Sequence, residues 1–378
     1  MLLFVMDGVG DLPNDDGETP LSLAKTPHLD SLARGGSVGL HIPVAPGVAP
    51  GSGIAHLALF GYDPILHPIG RGIFEALGLG MELVPGDLAV RGNLATFQDG
   101  KVIDRRAGRI HDGAALGAME RLSQISGAEG CASKVVAGKG HRFALRLRGE
   151  GLGGPVDGND LGRTGVVPTF PPVPPYGRRS RLVLSGWWDR AMDALRREKR
   201  ANGVLLRGGD VLSRVETMWE RHQITGRAIA DYPCYRGVAR LVGMEADPLP
   251  SHPDKRLCAA VEAPEDLIFF HHKATDQAGE DGDFEGKREA IEVGDSLLGL
   301  LLEKGSFDAV LVTGDHATPC ILKTHSSDPV PYVLWGGDRK NGASRMTEAE
   351  GARGQFMRGM DLFPLLLARA GRLGTWLA

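Results

Sequence analysis

Leu2-Leu3-Phe4-Val5-Met6-Asp7-Gly8 opens the chain: five apolar residues in a row, closed by a carboxylate and a glycine. An uninterrupted apolar run of this kind is the pattern of a strand covered on both faces, the usual condition in a parallel sheet. Such a strand delivers Asp7 at its carboxyl end, where open α/β sheets collect their ligands. The next signal is helical, with Thr26 as cap, Pro27 in the first turn, Leu29, Leu32 and Ala33 on one face and a stop at Gly35-Gly36. The same grammar returns late. Leu267 to His271 is an apolar run leading to Asp276, Ala309 to Thr313 leads to Asp315, and Val330 to Trp335 follows His325. Helical periodicity from Glu285 to Leu302 lies between two of these runs. The alternation predicts an α/β fold with a mostly parallel sheet flanked by helices on both faces.

The middle of the chain reads differently. Phe143-Ala-Leu-Arg-Leu-Arg148 alternates as a half-buried strand does, and prolines at 168, 171, 172, 174 and 175 exclude a central strand before a helix expected over Trp187 to Lys199. At 378 residues the chain exceeds the size at which one core usually keeps growing. We therefore expect a core domain from residues 1–75 and 237–378, and an inserted smaller α/β (α+β) domain over 76–236 with the proline segment as a surface crossing.

Composition narrows the function. The charge sum, 43 basic minus 47 acidic residues, is -4, and no Lys/Arg run offers a footprint for a phosphate backbone, so nucleic acid is excluded as a partner. No stretch of about 18 uncharged apolar residues appears, so a membrane partner is excluded too, and we expect a cytoplasmic protein, a monomer or small homo-oligomer. Cys131, Cys234, Cys258 and Cys320 lie far apart without C-x-x-C spacing and read as buried thiols. The 54 glycines imply many tight turns and close backbone approaches.

Acidic or histidine residues follow the strand ends: Asp7, Asp276, Glu280, the pair Asp315-His316, and His325. Singly, each is what a turn, an N-cap or a structural histidine looks like. Together they matter, because parallel strands bring their carboxyl ends to one edge, where such ligands can surround two divalent ions. Mixed carboxylate and imidazole donors suit Mn²⁺ or Zn²⁺ rather than Ca²⁺. Pro50-Gly51-Ser52-Gly53 feeds an apolar helix; Ser52 is either its cap or a nucleophile whose attack on phosphorus is assisted by neighbouring ions. Asp157 and Asp160, in a glycine-containing turn, are either acid/base candidates or ordinary Asx-turn residues. The loose Gly8-x-Gly10 lacks the third glycine of a dinucleotide fingerprint.

The set Asp7-Gly8, Gly51-Ser52-x-x-Ala55-His56-Leu57, Gly70-Arg71-Gly72-x-Phe74-Glu75-Ala76-Leu77-Gly78, Arg91-Gly92-Asn93, Asp104-Arg105-Arg106-Ala107-Gly108-Arg109, Thr275-Asp276-x-Ala-Gly279 and Thr313-Gly314-Asp315-His316-x-Thr318-Pro319 resembles the archaeal-type cofactor-independent phosphoglycerate mutases of the alkaline phosphatase superfamily, over essentially the whole chain. The resemblance implies an alkaline-phosphatase-like core domain that binds metal and an inserted domain that grips substrate. It implies one metal site from Asp7, Ser52, Asp315 and His316, and another from Asp276, His325 and the residue four after Asp276, which that family normally fills with histidine. Here it is Glu280, a charged donor in place of a neutral one, which shifts preference toward harder ions. The implied cofactors are two divalent ions, Mn²⁺ first, with Mg²⁺, Co²⁺ or Zn²⁺ as alternatives, and no 2,3-bisphosphoglycerate. The implied chemistry is transfer of the phosphoryl group of 3-phosphoglycerate to Ser52 and back to the other hydroxyl. Arg91, Arg105, Arg106, Arg109, Arg207 and Arg236, with Lys273, are the implied grip on phosphate and carboxylate, Arg236 standing where lysine is expected. His56 is expected to orient the serine loop, and His271 and His272 to be structural or to touch the site. The same residues leave open a related phosphotransferase or phosphatase, phosphopentomutase-like or homoserine-kinase-like, and a metabolite-binding relative without turnover.

Overall fold

The computed structural model describes residues 1–248 and 253–373. They form two compact units, one from residues 1–68, 216–231 and the chain beyond 242, the other from 69–215 and 232–241. The second unit thus takes in the helix Arg71–Gly78, where the sequence suggested a border near 76. The short strand Gly226–Ile229, expected within 76–236, joins the sheet of the first unit beside Leu267–His272.

In the first unit seven strands form one sheet in the order Gln355–Arg358, Ser37–Ile42, Val330–Trp335, Val310–Thr313, Leu2–Met6, Leu267–His272 and Gly226–Ile229. Leu2–Met6 lies at the centre, parallel to both neighbours. Its residues are buried without exception, because side chains on both faces meet packed layers. On one face Phe4 stacks on Phe270 with ring centroids 5.3 Å apart, within a core that includes Ile291, Leu298 and Leu301 of the helix Phe284–Lys304. On the other, Phe269 meets Phe60 edge to face. Each such side chain contributes about 1.5–3 kcal/mol of burial free energy. Val330–Trp335 runs against both of its neighbours, so its amino end lies at the edge where the parallel strands end. That reversal brings His325, which precedes this strand, to the same edge as Asp7 and Asp315.

Thr26 stands at the N-cap of Pro27–Gly35 as expected, but its hydroxyl donates to Asp30 Oδ1 (3.1 Å) and makes no capping bond to the backbone. Helix Phe284–Lys304 is capped instead by its own acid, Asp283 accepting from Gly286 N–H at 2.9 Å.

The second unit is antiparallel. Lys101–Asp104, Leu88–Gln98, Arg142–Arg148, Cys131–Ala137 and Gly127–Ala128 follow one another across the sheet, and Gly203–Val211 pairs with Leu88–Gln98. Phe143, Leu145 and Leu147 supply the buried face and meet Trp187 of the helix Arg178–Leu195 in the core. That helix starts at Arg178, ahead of the expected Trp187, because the prolines end in a 3₁₀ turn over Pro175–Gly177 that leads straight into it. Helices Arg71–Gly78 and Pro233–Leu241 cross at glycine contacts: a Cβ on Gly78 would lie 1.7 Å from Pro233 O, and one on Gly237 1.8 Å from Phe74 O. The glycines of the 70–78 motif therefore serve packing.

Candidate active site

Asp7 leaves the central strand directly into Gly8, whose φ of +62° is the left-handed region, and whose position would put a Cβ 2.4 Å from Thr318 Oγ1 and 2.7 Å from Asp276 Oδ1. Conformation and space both demand glycine. The Gly8 N–H donates to Asp315 Oδ1 (3.1 Å), tying the two strand ends together. Asp7 Oδ2 lies 3.1 Å from His271 Nε2 and 3.0 Å from Lys273 Nζ. Burial opposes ionisation of Asp7, yet the hydrogen bond from His271 and the charges of Lys273, His271 and His316 hold its carboxyl well below the usual carboxylate range. For Asp315, burial and the neighbouring Asp7 push upward, and His316 and His56 bring the net shift below that range.

Ser52 is the first residue of the helix Ser52–Leu59; Gly51 occupies the N-cap and no side chain caps this terminus. The capping role open to Ser52 from sequence is thus not the one it takes. Its Oγ lies 3.2 Å from His316 Nε2, which is itself 3.4 Å from Asp7 Oδ1 and 3.3 Å from Asp315 Oδ2. His56 Nδ1 sits one turn later, 2.7 Å from Ser52 O and 3.2 Å from Asp315 Oδ2, so it braces the serine turn against that carboxylate. Burial disfavours its protonation, but the charge of Asp315 and the hydrogen bond to it prevail and raise its pKa.

Asp276 follows in the helix Ala274–Asp281, and its Oδ1 lies 3.5 Å from His325 Nε2. His325 is fixed by Nδ1 against Pro50 O (2.9 Å) and stacks on His316 with centroids 3.7 Å apart. Two groups result, Asp7, Asp315 and His316, and Asp276, His316 and His325; within each, the potential ligand atoms lie within 4.8 Å of one another. His316, expected with the first set alone, stands between both. Glu280 stays at the rim, Oε1 3.9 Å from His325 Nε2 with a side chain 55% exposed. Lys273, read from sequence as a substrate grip, bridges the two groups, 3.0 Å from Asp7 Oδ2 and 2.5 Å from Asp276 Oδ2. Burial disfavours its charge, but Asp7 and Asp276 outweigh that and raise its pKa. Thr318 is a residue sequence reasoning passed over: its hydroxyl donates to Asp276 Oδ1 (2.6 Å) and lies 3.1 Å from His316 Nδ1. Its place two residues after His316 was the available signal.

Within the second unit, Arg91 and Arg207 are register partners on neighbouring strands, and Arg142 stands across from Asn93. The Nε atoms of Arg91, Arg142 and Arg207 are buried and make no hydrogen bond. Burial, then the charges of Arg142, Arg106, Arg91 and Arg207, push His141 down to about 4. Asp160 is held by Arg105 through two 2.9 Å bonds, with Arg207 Nε 3.7 Å away. Burial raises its pKa, but Arg105 leads the interactions that leave it lowered. Asp157, Arg106 and Arg109 are exposed, and Arg236 donates to Gly78 O at 3.2–3.4 Å. Arg142 and His141 were not singled out in the sequence, where their strand was read only for its alternation.

The donor set fits divalent ions: Asp7, Asp276 and Asp315 are buried carboxylates beside imidazoles. A serine hydroxyl at a helix N-terminus among such groups, at the carboxyl edge of a parallel sheet, defines a phosphoryl-transfer enzyme. Residues 33–179 match the family described as 2,3-bisphosphoglycerate-independent phosphoglycerate mutase. A protein of Thermus thermophilus named as a probable 2,3-bisphosphoglycerate-independent phosphoglycerate mutase is 44% identical over 99% of this chain and 95% of its own. A solved structure from Pyrococcus horikoshii superposes with TM-score 0.85 at 28% identity, covering 100% of this chain and 98% of that one. The cofactor-independent phosphoglycerate mutase of Thermoplasma acidophilum does so with TM-score 0.71 at 30% identity, covering 98% and 99%. The chain belongs to the 2,3-bisphosphoglycerate-independent phosphoglycerate mutase family, and it is an enzyme.

Proposed function

We propose that this chain interconverts 3-phosphoglycerate and 2-phosphoglycerate through a phosphoserine at Ser52, with two divalent ions, Mn²⁺ foremost, and as a cytoplasmic step of sugar breakdown and synthesis. The observation that carries the reading is the hydroxyl of Ser52, left out of helix capping and held 3.2 Å from His316 beside buried Asp7 and Asp315. Divalent ions, when bound by Asp7, Ser52, Asp315 and His316 and by Asp276, His325 and Glu280, lower the pKa of the serine hydroxyl and neutralise phosphoryl oxygens. Ser52 Oγ gives up its proton and forms a bond to phosphorus as the bond to the substrate's 3-oxygen breaks, and that oxygen takes up a proton to become the glycerate 3-hydroxyl. The glycerate 2-hydroxyl then gives up its proton and attacks phosphorus, the P–Oγ bond breaks, and Ser52 takes up a proton to regain its hydroxyl. His56 holds the serine turn during both transfers, and Lys273, beside Asp7, adds to the charges that keep that carboxylate ionised.

The arginine cluster of the second unit supplies forked donors of the type that carboxylate and phosphate take in pairs. Arg91 and Arg207, with Nε atoms that lack hydrogen bonds, are assigned to this grip, and Arg106, Arg109 and Arg236 are assigned to it as well. Asp160, kept ionised by Arg105, is the proton acceptor for a glycerate hydroxyl; exposed Asp157 is its alternative. An enolase-coupled assay with 3-phosphoglycerate and added Mn²⁺ tests the reading. Turnover is expected in the wild type and a loss of about 10³-fold or more in Ser52→Ala. Mutase turnover retained by that variant, or a wild type that only hydrolyses an aryl phosphate, overturns it.

A further inference from the structure

Lys287 enters the first unit from the first turn of the helix Phe284–Lys304, and its side chain is fully buried. Its Nζ donates to Gly10 O (3.0 Å), Asp11 Oδ2 (2.8 Å) and Thr318 O (2.8 Å). A lysine ammonium has three protons and no acceptor, so these bonds use all of it. Asp11, also buried, accepts the Cys320 N–H on both oxygens at 3.2 Å, and Thr318 N–H donates to Gly10 O at 3.0 Å. Two loops are thereby fastened to one ammonium. One runs from Asp7 to Asp11, and the other from Asp315 through His316 and Thr318 to Cys320.

The placement is costly on its own account. A positive charge in a helix's first turn opposes the helix dipole, and a buried charge is expensive unless fully partnered. An apolar side chain at this position of the helix would join the core at no such cost. A cation is needed here because the groups facing it are main-chain carbonyls and a carboxylate belonging to the two loops that hold the metal-ligand residues.

We propose that Lys287 is a positioning residue for metal binding, setting the distance between Asp7 on one loop and His316, with the Thr318 hydroxyl on Asp276, on the other. The inference rests on the metal reading of those residues, and the experiment separates the two. Mn²⁺ binding to metal-stripped protein is measured by titration calorimetry on the full chain, alongside thermal denaturation without metal. The wild type is expected to bind Mn²⁺, and Lys287→Met to bind it about 10–100-fold more weakly, the effect typical of groups that orient metal ligands. Ile291→Ala, a core truncation in the same helix, is expected to lower the melting temperature with Mn²⁺ affinity intact, which shows that instability by itself does not give the result. If Lys287→Met does not fold, Asp11→Asn, which keeps the shape and removes the counter-charge, is expected to weaken Mn²⁺ binding in the same direction. Unchanged Mn²⁺ affinity in Lys287→Met, or in Asp11→Asn where that variant stands in, overturns the inference alone. A wild type that takes up no Mn²⁺ overturns the metal reading and this inference with it.

Discussion

His41 fixes its protonation state by where it is buried. Its Nε2 lies 2.9 Å from Thr313 Oγ1 and 3.1 Å from Gly314 O, just ahead of Asp315, and burial pushes its pKa down to about 4 although the Gly314 carbonyl pulls the other way. In the unfolded chain the same ring takes up a proton near 6.5. The unfolded state therefore binds more protons between these values, so the stability contribution is complete above pH 6.5 and is lost as pH falls toward 4. Between pH 6.5 and 5 the His41 share is about 2 kcal/mol. Urea denaturation at pH 7.5 and pH 5 should show that loss reduced by this amount in His41→Asn; equal losses in both proteins would refute the assignment. Asp7 and Asp315 do not confuse the window, because carboxylates with depressed pKa lose their contribution only below the ordinary carboxylate range. Asp7, Asp276, Asp315, His316 and His325 were legible in the sequence because each adjoins the end of an apolar run. Lys287 and Arg142 were not, since lysine and arginine are common surface residues and their roles arise only from distant partners; Thr318 had only its spacing from His316 to mark it.

The crossing of Arg71–Gly78 with Pro233–Leu241 depends on backbones that touch. A methyl at Gly78 would enter the van der Waals shell of Pro233 O at 1.7 Å, so Gly78→Ala forces the helices apart. Overpacking of this kind costs about 1–3 kcal/mol, and contact with a backbone atom that cannot rotate away puts it at the upper end. The expected result is a lower melting temperature in circular dichroism; an unchanged one would mean that the helices pack at a greater distance. Elements with a continuous apolar run were readable within a residue: Leu2–Met6 as expected, Leu267–His272 and Val310–Thr313 nearly so. Ser37–Ile42, Gly226–Ile229 and Gln355–Arg358 escaped. The last two are four residues long and close the sheet at its two ends, and Gln355–Arg358 is mostly exposed, so neither carries the buried-strand signature.

Over the whole molecule the net charge is only -4, but its placement is uneven. Asp7, Asp276 and Asp315 are buried together, and Asp7 raises the cost of ionising Asp315. Lys273 and the surrounding imidazoles outweigh this repulsion, and under the proposed function a divalent cation would add to their effect. The other unit has its own core around Trp187 and Phe143, with no carboxylate cluster of that kind among its described residues. A cation that binds the folded state alone stabilises it by RT ln(1 + [L]/Kd), about 2.7 kcal/mol at a hundredfold excess over Kd. For a unit of this size that corresponds to a rise of about 5–10 °C. Scanning calorimetry of the full chain in EDTA and in Mn²⁺ should therefore resolve two transitions, as chains with separate cores commonly show, with one moving upward on Mn²⁺ and the other staying. A single transition that rises with Mn²⁺ would show that the units unfold as one. If neither moves, the carboxylates of the first unit are balanced without a metal, and the assignment of Asp7, Asp276, Asp315, His316 and His325 as ligands falls.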